Sequence, residues 1–134
     1  MKKTNKIIYW IATVWLALGM TATGMVQLLR EEAPGAVSPP GVYGIKYLGY
    51  PVYLLTIIGV WKLLGSIAVL VPGLPLIKEW AYAGFFFLMT GAIFSHIAVG
   101  DPAVELFPSL LLLALTIISW YLRPSTRKLI ALTR

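Results

Sequence analysis

The chain contains no cysteine. That excludes disulfides, thiolate metal ligands, iron–sulfur clusters and thiol redox chemistry by the chain itself. Charge is scarce as well: 12% of the 134 residues are Asp, Glu, Lys or Arg, against about 25% in an ordinary soluble domain. Acids are scarcest, 5 against 11 Lys and Arg, which leaves a formal charge of +6. There is one histidine, so no metal site is expected from this chain alone, and a haem held by two histidines would need a second subunit. No Walker loop, G-x-S-x-G or H-E-x-x-H is present, and no pair of acids lies within an apolar run.

What the sequence has in quantity is apolar surface, 59% of residues. Four runs stand out: Ile7–Leu29, Pro51–Val71, Trp80–Val99, and one from Val104 or Phe107 to Leu122. At about 1.5 Å per helical residue each crosses a hydrocarbon core of about 30 Å. They are continuously apolar, where barrel strands would alternate. The expectation is an all-α fold, a four-helix transmembrane bundle forming a single membrane domain over residues 1–134. The first run is too long for a secretory signal peptide, whose apolar core is about 7–15 residues, and lacks an A-x-A ending; it reads as a retained helix. Pro51 opens the second span and Pro72-Gly73 closes it. Asp101-Pro102 starts a short turn that Pro108 separates from the fourth span, and Arg123-Pro124 ends the chain's apolar part. Arg30–Tyr50 is a turn-rich loop.

A basic excess suggests either nucleic acid or membrane topology. The cations sit beside the apolar runs, which favours topology and no nucleic-acid partner. With the N-terminus inside, Lys2, Lys3, Lys6, Lys78, Arg123, Arg127, Lys128 and Arg134 fall on the cytoplasmic side. Arg30 and Lys46 fall outside, with Glu31, Glu32, Asp101 and Glu105. Both termini are therefore expected in the cytoplasm. Trp10, Trp80, Trp120 and Tyr121 form an inner aromatic belt, and Tyr43, Tyr47, Tyr50 and Tyr53 an outer one. A quinone or lipid-headgroup site is the alternative for the tyrosines. The tail, with Leu129, Ile130 and Leu132, is expected along the membrane surface.

Lys62 lies near the middle of the second span, where a lysine costs at least about 2.5–3.5 kcal/mol. Its helical neighbours Gly59, Gly65 and Ser66 are small, so Lys62 should face the bundle. It is either a structural lysine bonded to backbone or the contact for an anionic or carbonyl-bearing ligand. His96 is either an interfacial histidine or a proton donor or ligand contact at the outer mouth. Thr23, Gln27, Arg30 and Glu31 share one stripe of the first span. Facing inward, they would complete a polar pocket with His96 and Asp101. The candidate ligand-binding residues are thus Lys62, His96, Gln27 and Glu31. Gly84, Gly91 and Ser95 suggest a helix-packing stripe.

The stretch LGYPVYLL, GVWKLLGSIAVLVPGLPLIKEWAYAGFFF and LMTGAIFSHIAVGD, Leu48–Asp101, resembles the DoxX-like family of small membrane proteins. The resemblance implies a four-helix protein of a bacterial inner membrane. In the wider DoxX/DoxD group it implies a subunit of a thiosulfate:quinone oxidoreductase, membrane partners in redox-stress complexes, and a factor that matures a periplasmic dehydrogenase. Relatives carry an acid just after the phenylalanine run; here that position is Leu88, so Lys62 lacks an ion-pair partner. The expected function is a quinone- or lipid-binding accessory subunit of a membrane redox system, homo-oligomeric, with quinone as the candidate cofactor and a redox subunit as partner. The alternative is a non-enzymatic maturation or assembly factor. Transport ranks third, since no intramembrane acid is available to drive it.

Overall fold

The computed structural model of the chain describes residues 2–29 and 42–129, the side chains of 42–44 excepted. Four long helices cross the molecule: α1 (Lys3–Leu29), α3 (Tyr53–Leu70), α4 (Pro75–Ala98) and α5 (Phe107–Tyr121). A short helix, α2 (Val42–Tyr47), precedes α3. One-turn 3₁₀ segments at Ala103–Leu106 and Ser125–Arg127 precede and follow α5. No strand occurs among the described residues.

The long helices pack as a ring, α1 against α3 and α5, and α4 against α3 and α5. With the turn before α5 included, all four are long and apolar enough to cross a membrane. Their outward faces carry Trp15, Leu18, Trp61, Ile67, Phe87, Phe94 and Ile117, all exposed. Such a surface is stable against lipid and costly against water. The chain is a multi-pass membrane bundle.

Local sequence explains the boundaries. Pro108 lies in the first turn of α5, where its missing N–H costs nothing. The α3–α4 connection turns on Gly73 (φ 75°) and Leu74 (φ 54°), the one described non-glycine residue with positive φ. Pro75 then starts α4 five residues before the hydropathy run at Trp80. That earlier start places Lys78 inside the helix instead of in the loop.

Glycines set the closest approaches. A Cβ on Gly59 would meet the Gly24 carbonyl oxygen at 2.9 Å, and one on Gly65 the Phe85 ring at 2.6 Å. The Gly65–Phe85 contact fixes the antiparallel register of α3 and α4, so Lys62 lies level with Leu88. Gly84 and Gly91 behave differently: a Cβ on either meets nothing within 4 Å. The packing stripe expected there is not one. The apolar core, Leu16, Met20, Val69, Phe85, Met89, Leu112 and Leu115 among others, fills the bundle's middle. It separates two ends. The terminal end carries the start of α1, the α3–α4 turn and the end of α5. The α2 end carries α2 and the α4–α5 turn.

Candidate functional site

The α2 half of the bundle is hollow. A cavity of about 600 Å³ is walled by all four long helices, by Ile45 of α2 and by Leu48 and Tyr50 before α3. Its walls are mostly Leu, Ile, Val, Phe and Ala, and its polar groups are few. That is the general make-up of a small-molecule site, typically about 300–1,000 Å³.

Lys62 forms part of this wall and is only 4% exposed. The small faces of Gly59 and Gly65 bring neighbouring helices close enough to enclose it. Its Nζ donates one hydrogen bond, 3.0 Å, to Thr23 Oγ1. Thr23 in turn donates to the Gly19 carbonyl at 2.8 Å. An ammonium carries three donors; here its one partner is a neutral hydroxyl. Neither ion pair among the described residues involves Lys62. Leu88, level with it, lines the same cavity and supplies no charge.

Gln27 is the second unsatisfied group. Its side chain lines the cavity, and its buried Oε1 has no hydrogen-bond partner among the described residues. His96 lines the cavity as well. Lys62, Gln27 and His96 are thus brought together around one space, as the stripe and depth counting predict. Glu31, with Arg30 and Glu32, lies outside the described residues, as do Ile130 and Leu132.

Two tyrosines of the outer cluster, Tyr47 and Tyr50, hold the mouth together with His96, Ser95 and Asp101. His96 Nδ1 meets Asp101 Oδ2 at 2.6 Å, and Tyr47 Oη donates to Asp101 Oδ1 at 2.8 Å. The hydrogen bond from His96, then that from Tyr47, holds the Asp101 carboxyl below the usual carboxylate range. Tyr50 Oη and Ser95 Oγ share a hydrogen bond of 2.7 Å. Gly91, one turn below Ser95, lines the cavity; its lost side chain contributes room. Tyr53, 65% exposed, does fit a belt. Tyr43 lies outside the described side chains. Tyr47 and Tyr50 are exposed too, and their partners, 54 and 45 residues away, carry no local pattern in the sequence.

The terminal end is built in the opposite way. Lys78, fully buried, donates to the carbonyls of Ala68, at 2.6 Å, and of Val71. Arg127 reaches the carbonyls of Val69 (3.0 Å), Leu70 (3.2 Å) and Val71 (3.3 Å). A helix leaves its last carbonyls unpaired and partially negative. Here two cations satisfy all of them from Ala68 to Val71. Arg127 also stacks on Trp10 at 4.8 Å. Arg123 pairs with Glu79 at 2.6 Å, and Trp120 Nε1 donates to Glu79 at 3.0 Å. Deeper in, Ser119 joins Thr13 (2.6 Å) and Tyr82 (2.7 Å), tying α1, α4 and α5.

The family model of the DoxX-like family matches residues 11–119, and the chain belongs to that family. The match spans Gln27, Lys62 and His96 together with the whole cavity wall. No curated protein and no solved structure matches the chain.

Proposed function

We propose that this member of the DoxX-like family binds an amphiphile, a quinone or a lipid, in its cavity and serves as an accessory subunit of a membrane redox system. The observation that carries this reading is Lys62: a buried ammonium with one neutral partner, in the wall of a cavity of about 600 Å³. Burying an unpaired charge is costly, and a lysine so placed either gives up its proton or gains an acceptor; the adjoining cavity has room for the acceptor. A ligand oxygen, carbonyl or anionic, would accept the two remaining hydrogens. Gln27 offers a second polar contact, and the apolar walls suit a ring or chain. A maturation factor that recognises partner helices needs no such cavity.

The charge bias, with Lys2, Lys3, Lys6, Lys78, Arg123, Arg127 and Lys128 at the terminal end, supports an inner-membrane protein with both termini cytoplasmic. The cavity then opens toward the outer face. Assembly with copies of itself and with a redox subunit belongs to the same proposal. Native mass spectrometry from mild detergent tests it. Retained quinone or lipid, with a stoichiometry above one chain, is the expected result. Protein that is monomeric and carries no amphiphile in gently extracted membranes would count against it.

A further inference from the structure

We propose that His96 is the cavity's proton acceptor, positioned by Asp101 and Tyr47, so that the ligand is one presenting a hydroxyl donor at the mouth. This rests on the cavity being a ligand site, as proposed above. The geometry is that of an oriented imidazole. Asp101 takes Nδ1 at 2.6 Å, and Tyr47 braces the other carboxylate oxygen at 2.8 Å. The side chains of His96 and Asp101 are 16% and 6% exposed. A carboxylate can only accept, so Nδ1 carries the proton, and in the neutral ring Nε2 is the acceptor. Nε2 has no hydrogen-bond partner among the described residues, while the ring lines the cavity.

A purely structural clasp needs one nitrogen, and that nitrogen is used. The other is an acceptor in the neutral ring, on a residue that lines the cavity. When a ligand hydroxyl gives its proton to Nε2, the O–H bond breaks and an N–H bond forms. The imidazolium then faces the Asp101 carboxylate, which offsets its charge, and the ligand oxygen is left as an anion. The other titratable groups on the cavity wall are Lys62 of α3 and Tyr50 before it; α1 contributes only Gln27 and Thr23, and α5 only Ser109. Lys62 is therefore the cation that faces the ligand's deep end, while the imidazolium itself stays beside the new anion. By helical rise from Leu88 to His96 the two groups are about 12 Å apart in depth. The ligand class this describes is a phenol-like or enol-like amphiphile, acceptor oxygen deep and hydroxyl shallow.

His96 is the sole histidine, so ¹⁵N-histidine labelling of the full chain in nanodiscs gives one ring to observe. The probe is octyl 4-hydroxybenzoate, which carries a carbonyl oxygen opposite its phenol hydroxyl, and native mass spectrometry of the same sample counts the molecules bound. The expected result is an Nδ1–H tautomer at neutral pH, with Nε2 shifting on saturation while Nδ1 holds. Asp101→Asn should lose the tautomer preference yet still bind the probe. A bound probe that leaves Nε2 unmoved, or a resting Nε2–H tautomer, would overturn the role of His96 and leave the cavity reading intact. An Asp101→Asn protein with an unchanged tautomer would remove Asp101 as the positioning residue. Failure of the probe to bind at all would sink both.

Discussion

The two ends of this bundle use buried cations in opposite ways. At the terminal end Lys78 and Arg127 have carbonyl acceptors fixed by the fold, and Arg123 has Glu79. At the α2 end Lys62 has one hydroxyl and a cavity. A cation whose donors are satisfied by backbone belongs to the structure. Under the ligand proposal, a cation left short of acceptors beside a space belongs to what enters that space. Both lysines are buried; the accounting of donors separates them.

The comparison can be broken by mutation. The largest expected effect comes from the glycines. Gly65→Leu drives a side chain into the Phe85 ring and Gly59→Leu into α1, each costing about 3 kcal/mol, the upper range for overpacking. Gly91→Leu should cost under about 0.5 kcal/mol, the level of a change in open space, while reducing ligand retention by filling the cavity. Unfolding in bicelles checks all three together. Equal loss at Gly91 would mean that the space is not there.

Next comes Lys78→Met. It strands the Ala68 carbonyl, and Arg127 alone cannot replace both bonds. The expected loss is about 2 kcal/mol, within the range for hydrogen bonds to charged groups. Because Lys78 and Arg127 share the Val71 carbonyl, each single variant leaves it one donor, and adding Arg127→Met should cost more than the sum of the singles. Ser119→Ala follows, at about 1 kcal/mol for two interhelical bonds of about 0.6 kcal/mol each.

The smallest effect is local and pH-dependent. Asp101 titrates lower in the folded protein than its ordinary value of 3.8. Its contribution to the mouth is therefore present above that value and lost as pH falls through the lower folded one. Hydrogen exchange in α2 should accelerate only in strong acid, and in Asp101→Asn at every pH. Exchange in α2 that ignores both changes would show that the Tyr47–Asp101 contact does not hold the mouth.

Much of this was legible in the residues. Continuous apolar runs marked the four spans, and proline positions marked the turns around α3 and α5. The small residues beside Lys62 placed it inward, and one count of helical rise set it level with Leu88. Lys78 was not legible, because the hydropathy run began at Trp80 and left Lys78 in a loop. The actual start depends on the left-handed Leu74 and on Pro75. The stretch K-E-W-A-Y carried the family resemblance but not its reason. Lys78 caps α3, Glu79 meets Arg123 and Trp120, and Tyr82 meets Ser119. Gly91 misled because small-residue spacing looks the same beside a helix and beside a hollow. Gln27 and His96 were found through their stripe and depth; their unmet hydrogen-bonding capacity emerges only from tertiary packing.

The central claim is that Lys62 is held for a ligand and not for the fold. Lys62→Met tests it most directly, with thermal stability and extracted quinone or lipid measured on the same preparation. Methionine keeps the bulk and removes a desolvated charge, so the account predicts a melting temperature at or above the parent's, with the retained amphiphile lost. A variant that unfolds, or one that holds the same amphiphile as the parent, would contradict it.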